Sequence, residues 1–154
     1  MTKDVQTSQF STPLLEICKI MANNNIGSII VVNESKSPIG IITERDVLYN
    51  IAKEGSPLSL PAEYVMSTPL ITIKETDSLI DALFVMNTNH FRRLPITNNE
   101  QKLVGILTDK DIFKAILSNK QLLSDYYNNK NFEPSYSVVE EFRNRIFETL
   151  FKTD

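Results

Sequence analysis

The sequence is poor in the residues that most often carry chemistry. Its 154 residues include one cysteine and one histidine. A single thiol, Cys18, excludes an intrachain disulfide and any multi-cysteine metal cluster. Its setting in LLEICKIM, among apolar residues at helical spacing, reads as packing. The lone His90 has no carboxylate beside it in sequence, which leaves a loop position or a ligand-edge contact rather than a metal site or a catalytic base. No nucleophile motif, glycine-rich phosphate loop or zinc-ligand spacing occurs, so no enzymatic activity is expected. Excess positive charge is lacking too. A net charge of −3 disfavours broad nucleic-acid binding, although a local basic pocket could still gather around one anionic ligand. The longest aliphatic run, SIIVVN, is far too short to span a bilayer, and the N-terminal MTKDVQTSQFST lacks the apolar core of a signal peptide. These absences lead to the expectation of a soluble, cytoplasmic protein with no membrane partner.

What is present is one phrase written twice. GIITERDV at residues 40–47 returns as GILTDKDI at 105–112, an offset of 65 residues. The offset holds without gaps well beyond the phrase. Leu14 falls on Leu79, Met21 on Met86, Asn24 on Asn89, Asn33 on Asn98 and Ile51 on Ile116. Two copies of one supersecondary unit follow. In the first, Leu14, Ile17, Cys18 and Met21 make one helical face, with Ser11 or Thr12 able to cap it and Pro13 suited to the first helical position. In the second, Leu79, Leu83 and Met86 form the stripe and Asp77 or Ser78 the cap. The asparagines after both helices suit a left-handed helix end. GSIIVVN and RRLPITN then read as strands, each joined by a polar turn to a second strand, IGIIT or VGILT, as an antiparallel hairpin. ERDVLYNIAKE and DKDIFKAILSN read as closing helices, and VMSTPLITI as an extended lead-in to the second copy.

The expected fold is therefore α/β (α+β): two β-α-β-β-α repeats related by a pseudo-two-fold axis, plus a C-terminal helical extension. The expected divisions are 1–54 for the first repeat, 55–64 for a linker, 65–118 for the second repeat and 119–154 for the extension. A unit of about 60 residues buries too little apolar surface alone, so the halves are expected to pair and leave ligand-sized clefts between them.

The repeated phrase has two readings. Thr-x-x-Asp before a helix is close to a capping box, with Thr43 or Thr108 at the cap and Asp46 or Asp111 at the third helical position. The same geometry presents backbone N–H groups and a short carboxylate at the rim of a cleft. An aspartate there can accept both hydroxyls of a ribose, and the N–H groups favour an anion. One threonine can cap and bind, so both readings stay open.

At this point the chain resembles a tandem pair of CBS (cystathionine β-synthase) domains, a Bateman module. The resemblance covers roughly residues 5–118 and is carried by the doubled phrase, the VMSTPLITI lead-in and the HFRRLPIT strand. It implies regulatory binding of an adenosine-containing ligand, whether AMP, ADP, ATP or S-adenosylmethionine, and homodimers of modules packed as a flat disc. It makes Asp46 and Asp111 the ribose carboxylates, with Thr43 and Thr108 as hydroxyl partners near ribose or phosphate. Thr7 and Thr72 would lie in the leading strands whose backbone borders adenine. Arg92 and Arg93 would face phosphates, and Ser28 and Pro95, in the same strands of the two copies, complete the expected ligand set. Arg45 and Lys110 could add charge or simply be solvated.

The copies differ where the second has Arg92 and Arg93, because the first has Gly27 and Ser28. Arginine offers multidentate contacts to phosphate and Gly-Ser offers no charge, so phosphates are expected to point towards the second copy. A competing reading is a ligand-free interaction module in which Thr-x-x-Asp is only a helix cap. Beyond the repeat, SVVEEFRNRIFETLFKTD carries a stripe of Val139, Phe142, Ile146 and Leu150 that suits packing on its own domain, on a second subunit or on an unidentified effector protein.

Overall fold

In the computed structural model of the chain, residues 1–118 are described, and the expected C-terminal amphipathic helix lies outside them. The order of elements is β1 (Thr7–Gln9), α1 (Leu14–Asn24), β2 (Ser28–Val32), β3 (Pro38–Thr43), α2 (Glu44–Ala52), then β4 (Ile73–Lys74), α3 (Leu79–Asn89), β5 (Arg93–Thr97), β6 (Leu103–Thr108) and α4 (Asp109–Ser118). The same β-α-β-β-α order thus occurs twice. Each copy makes a three-stranded sheet, β1-β2-β3 or β4-β5-β6, whose first strand is parallel to the second. The β2–β3 hairpin is antiparallel as expected, pairing Ser28 with Thr43 and Ile30 with Ile41.

Two compact units hold these residues: Met1–Thr76 with Pro95–Leu107, and Asp77–Leu94 with the described residues from Thr108 to Ser118. In the first, Leu14, Ile17 and Met21 of α1 close on Ile29 and Val31 of β2 and Ile42 of β3, all within 6% of full burial. Cys18 packs against this cluster, and burial pushes its thiol pKa up, as suits a packing residue. The second unit carries α3 and α4, with Ala82, Met86, Leu94 and Ile112 buried.

The start of α1 departs from expectation. Neither Ser11 nor Thr12 caps it; Pro13 occupies the cap position and supplies no side-chain bond. The segment expected to be a linker does the work instead. The Leu14 N–H donates to the Leu60 carbonyl and the Leu15 N–H to the Leu58 carbonyl, both at 2.8 Å. Orphan amides at a helix start need acceptors, and a backbone passing close by satisfies them as well as a hydroxyl does. The same segment leads into Ala62 and Val65, both in the core cluster. In the second copy the expected side-chain cap forms: Ser78 and Asp81 make a reciprocal capping box.

The left-handed helix ends are Asn25 (φ 52°) and His90 (φ 56°), which share the 65-residue offset. His90 therefore takes the place of an asparagine at a helix C-cap, which is the position its sequence setting left unassigned.

Two lead-in segments cross between the sheets. Residues 66–74 begin on β3, where Ser67 and Ile41 exchange N–H···O bonds of 2.9 and 3.2 Å, and end in β4 beside β5, with Ile73 opposite Ile96. Residues 1–9 begin on β6, where Thr2 and Ile106 exchange bonds of 3.0 and 2.9 Å, and end in β1 beside β2, with Thr7 opposite Ile30. Each copy's lead-in is thus a strap bonded first to the other copy's hairpin and then to its own.

Candidate functional site

The two Thr-x-x-Asp motifs adopt one geometry. In the first copy the Thr43 N–H and hydroxyl donate to Asp46 Oδ2 at 2.8 and 2.7 Å, and the Asp46 N–H returns a bond to Thr43 Oγ1 at 3.4 Å. In the second, Thr108 makes the matching bonds to Asp111 Oδ2 at 2.9 and 2.7 Å, with 3.2 Å for the return. The capping reading is therefore correct as far as it goes. It leaves room for more. Both inward bonds fall on Oδ2, and Oδ1 of Asp46 accepts none among the described residues. A carboxylate has acceptor capacity on both oxygens, so the cap orients Asp46 without exhausting it.

The threonine hydroxyl is more committed. A carboxylate can only accept, so the Thr43 proton points at Asp46 and the hydroxyl can offer a ligand no more than an acceptor lone pair. Asp111 shows the electrostatic result. Burial pushes its carboxyl up, but the hydroxyl and backbone bonds from Thr108 are among the pulls that bring it below the usual carboxylate range. With its folded pKa depressed, the ionised group adds stability above its unfolded pKa, and that stability is lost as pH falls through the folded value.

Around each motif the charges differ. Ser28 stands opposite Thr43 in the β2–β3 pairing, so the first copy has a small hydroxyl beside its motif. Arg93 is the equivalent residue of the second copy, at the start of β5. Strand alternation puts Arg93 on one face with Pro95 and Thr97, and Leu94 and Ile96 on the other. Arg92 lies one residue earlier and forms an ion pair with Asp109, Nε to Oδ2 at 3.6 Å, with 65% of its side chain exposed. A loose, exposed pair of this kind adds little stability, but it gives Arg92 a carboxylate neighbour that a phosphate would have to displace. The two arginines are therefore not equivalent. Arg45 and Lys110 are both exposed. Thr7 is exposed on β1, Thr72 is half-buried just before β4, and Pro95 is fully buried in β5.

The expected ligand set omits Asp109, and the extended lead-in is expected without its bonds to the other copy's hairpin. The signal for the straps was there: Met1 falls on Met66 at the same offset that places Gly40 on Gly105. Among the described residues no group of histidine, cysteine, aspartate and glutamate is arranged to hold a metal, and no helix is long and apolar enough to cross a membrane.

A family model for the CBS domain matches residues 1–53 and 62–118. The chain belongs to the CBS domain family. An uncharacterized protein of Methanopyrus kandleri is 39% identical over 114 residues, which is 73% of this chain and 58% of that protein. This chain thus spans little more than half the length of that relative. Among solved structures, a CBS domain protein of Pyrobaculum aerophilum complexed with AMP aligns at a TM-score of 0.71 and 22% identity, over 82% of this chain and 94% of that one. The CBS domain pair of protein MJ0100, in complex with 5′-methylthioadenosine and S-adenosyl-L-methionine, aligns at 0.69 and 24% identity, over 77% and 92% of the two chains. At such identities the likeness is one of fold. The gap between the two CBS matches, residues 54–61, covers the backbone that caps α1.

Proposed function

We propose that this CBS protein is a regulatory, non-catalytic sensor that binds an adenosine-containing ligand through its Thr-x-x-Asp motifs. The observation that carries the reading is the carboxylate at the head of α2. Asp46 is held by Thr43 through one oxygen while Oδ1 remains available, the arrangement a ribose diol needs. At α4, Asp111 is assigned the ribose role on the matching hold from Thr108 alone. Solved CBS neighbours complexed with AMP, or with 5′-methylthioadenosine and S-adenosyl-L-methionine, support an adenosine ligand as the class. Ligand phosphates are assigned to the second copy, with Arg93 rather than the Asp109-paired Arg92 as their principal partner. Thr7, Thr72 and Ser28 line the remainder, and Arg45 and Lys110 supply outlying charge; Pro95, expected in the ligand set, is fully buried in β5 and supports the strand without meeting a ligand.

Output passes through assembly in the cytoplasm. Among the described residues α2 buries no side chain and exposes Leu48, Tyr49 and Ile51 to 67%, 47% and 43%, a helix face suited to a second copy in a homodimer. An effector protein is the other route for the signal. A second reading, a ligand-free interaction module, is favoured by one observation: in the first copy, every bond that the Thr43 and Asp46 side chains make among the described residues is between the two of them, in the capping box.

Titration calorimetry with AMP, ATP and S-adenosylmethionine, on protein stripped of carried-over nucleotide, separates these readings. Saturable binding is expected, with affinity falling at least roughly tenfold in Asp111→Asn while the fold and helix cap persist, since Thr108 still caps and the asparagine amide oxygen can still accept its bonds. No heat with any of the three ligands would sink the sensor and leave the interaction module.

A further inference from the structure

We propose that Gly40 and Gly105 are positioning residues of the adenosine site: each forms a notch that receives the methionine heading the other copy's strap. The proposal rests on the adenosine reading for the site that it positions. Glycine inside a strand weakens it, because it adds backbone entropy and packs nothing. Yet both copies carry glycine at the same place in the phrase, and both notches are filled in the same way. A Cβ built on Gly40 would lie 2.5 Å from Met66 Sδ and 2.9 Å from its Cγ. One built on Gly105 would lie 2.7 Å from Met1 Sδ and 3.1 Å from the Thr2 carbonyl oxygen. Neither position has room for a side chain while its methionine is seated.

Beside each notch the strap is clamped by backbone bonds, Ser67 to Ile41 and Thr2 to Ile106. The Thr68 hydroxyl adds a bond to the Ile39 carbonyl at 3.2 Å. The clamp on β3, at Ile41, sits two residues before Thr43, about 7 Å along the strand, so it is referenced to the strand that delivers the capping box. From there the strap continues through Thr72 into β4. A slip of one residue would turn its alternate side chains to the opposite face and carry the backbone next to Thr72 out of place. Methionine in the glycine notch prevents that slip, because a bulky side chain fits opposite the strand only where the strand has none. The same pairing at both ends of the repeat, Met66 with Gly40 and Met1 with Gly105, marks it as part of the duplicated design.

A double-mutant cycle tests this on the full chain, with AMP affinity by calorimetry and amide hydrogen exchange at Ser67 and Ile41 as the two readouts. Gly40→Ala is expected to weaken AMP by roughly tenfold and to speed exchange at both amides, since misplacing a preorganised wall costs affinity. In the Met66→Ala background, where the notch is empty, the same Gly40→Ala change is expected to cost less than about threefold. If Gly40→Ala does not fold alone, Gly40→Ala/Met66→Ala compared with Met66→Ala still carries the test. Equal cost of Gly40→Ala in both backgrounds would overturn the notch. Faster exchange with unchanged AMP affinity would overturn its link to the site. If the unaltered protein gives no heat with AMP, the adenosine reading itself fails. The exchange data then decide the notch alone: rescue by Met66→Ala upholds it, and unaltered protection in Gly40→Ala removes it.

Discussion

The first and second copies hold their aspartates in the same way and surround them differently. The bonds from threonine to carboxylate agree to about a tenth of an ångström between Thr43–Asp46 and Thr108–Asp111. The neighbouring strand carries Ser28 in one copy and Arg93 in the other. Likewise Gly27 and Arg92 make the same backbone contact, accepting from the amide of Glu44 or Asp109, but only the arginine forms an ion pair with its neighbour. Duplication has kept the holder of the carboxylate and let the charge beside it diverge. Shape at a helix start is set by a few short bonds that tolerate little change, whereas charge on an adjoining strand can change without disturbing them.

The copies also differ in how α1 and α3 are seated, and this contrast carries the largest expected effect. Leu14 is fully buried, whereas its counterpart Leu79 is only half-buried. Leu14→Ala is expected to cost about 3 kcal/mol in urea unfolding, and Leu79→Ala about 1 kcal/mol, because the cavity term applies only where neighbours cannot close in. Equal costs would mean that the second helix is as firmly seated as the first.

The arginine contrast comes next in size. Arg93→Ser, which gives the second copy the residue of the first, is expected to weaken AMP about tenfold while leaving phosphate-free adenosine within about twofold. Arg92→Ala is expected to weaken AMP by less than about threefold, since Asp109 already competes for that guanidinium. A larger loss at Arg92 than at Arg93 would reverse their assigned roles.

The smallest effect concerns the helix caps. Ser78→Ala is expected to lower stability by about 1 kcal/mol, as loss of a capping side chain does. Thr12→Ala is expected to stay within about 0.3 kcal/mol, because α1 takes its acceptors from backbone carbonyls of residues 58 and 60. Thermal and urea unfolding of the two variants would measure this directly, and a matching loss in Thr12→Ala would contradict the backbone cap.

Much of the fold was legible because hydrophobic period and turn residues agree over both copies. The strands at SIIVV and RLPIT, their hairpin partners and the four helices fall where apolar spacing and the doubled phrase place them. The capping box at Thr43 and a cap at Asp77 or Ser78 were legible for the same local reason, since a cap closes within four residues, while the Asp81 half of the Ser78 box appears only in the structure. What escaped was non-local. The Pro57–Leu60 backbone reads as a linker, but a carbonyl's use depends on which amide comes near it, and no side-chain pattern records that. The inequality of Arg92 and Arg93 likewise depends on strand alternation and on Asp109 lying across from the strand.

By itself the sequence determined the duplication, the β-α-β-β-α order of each copy and the Thr-x-x-Asp holder, all of which depend on residues close together in the chain. Only the tertiary structure decided which copy each strap is clamped to, that Met66 and Met1 fill the notches at Gly40 and Gly105, and that α1 is capped by passing backbone. Those choices are contacts between segments far apart in sequence. They are set by which surfaces can close together, and glycine with methionine shows it: the meaning of a missing side chain appears only when another chain segment comes to occupy the space.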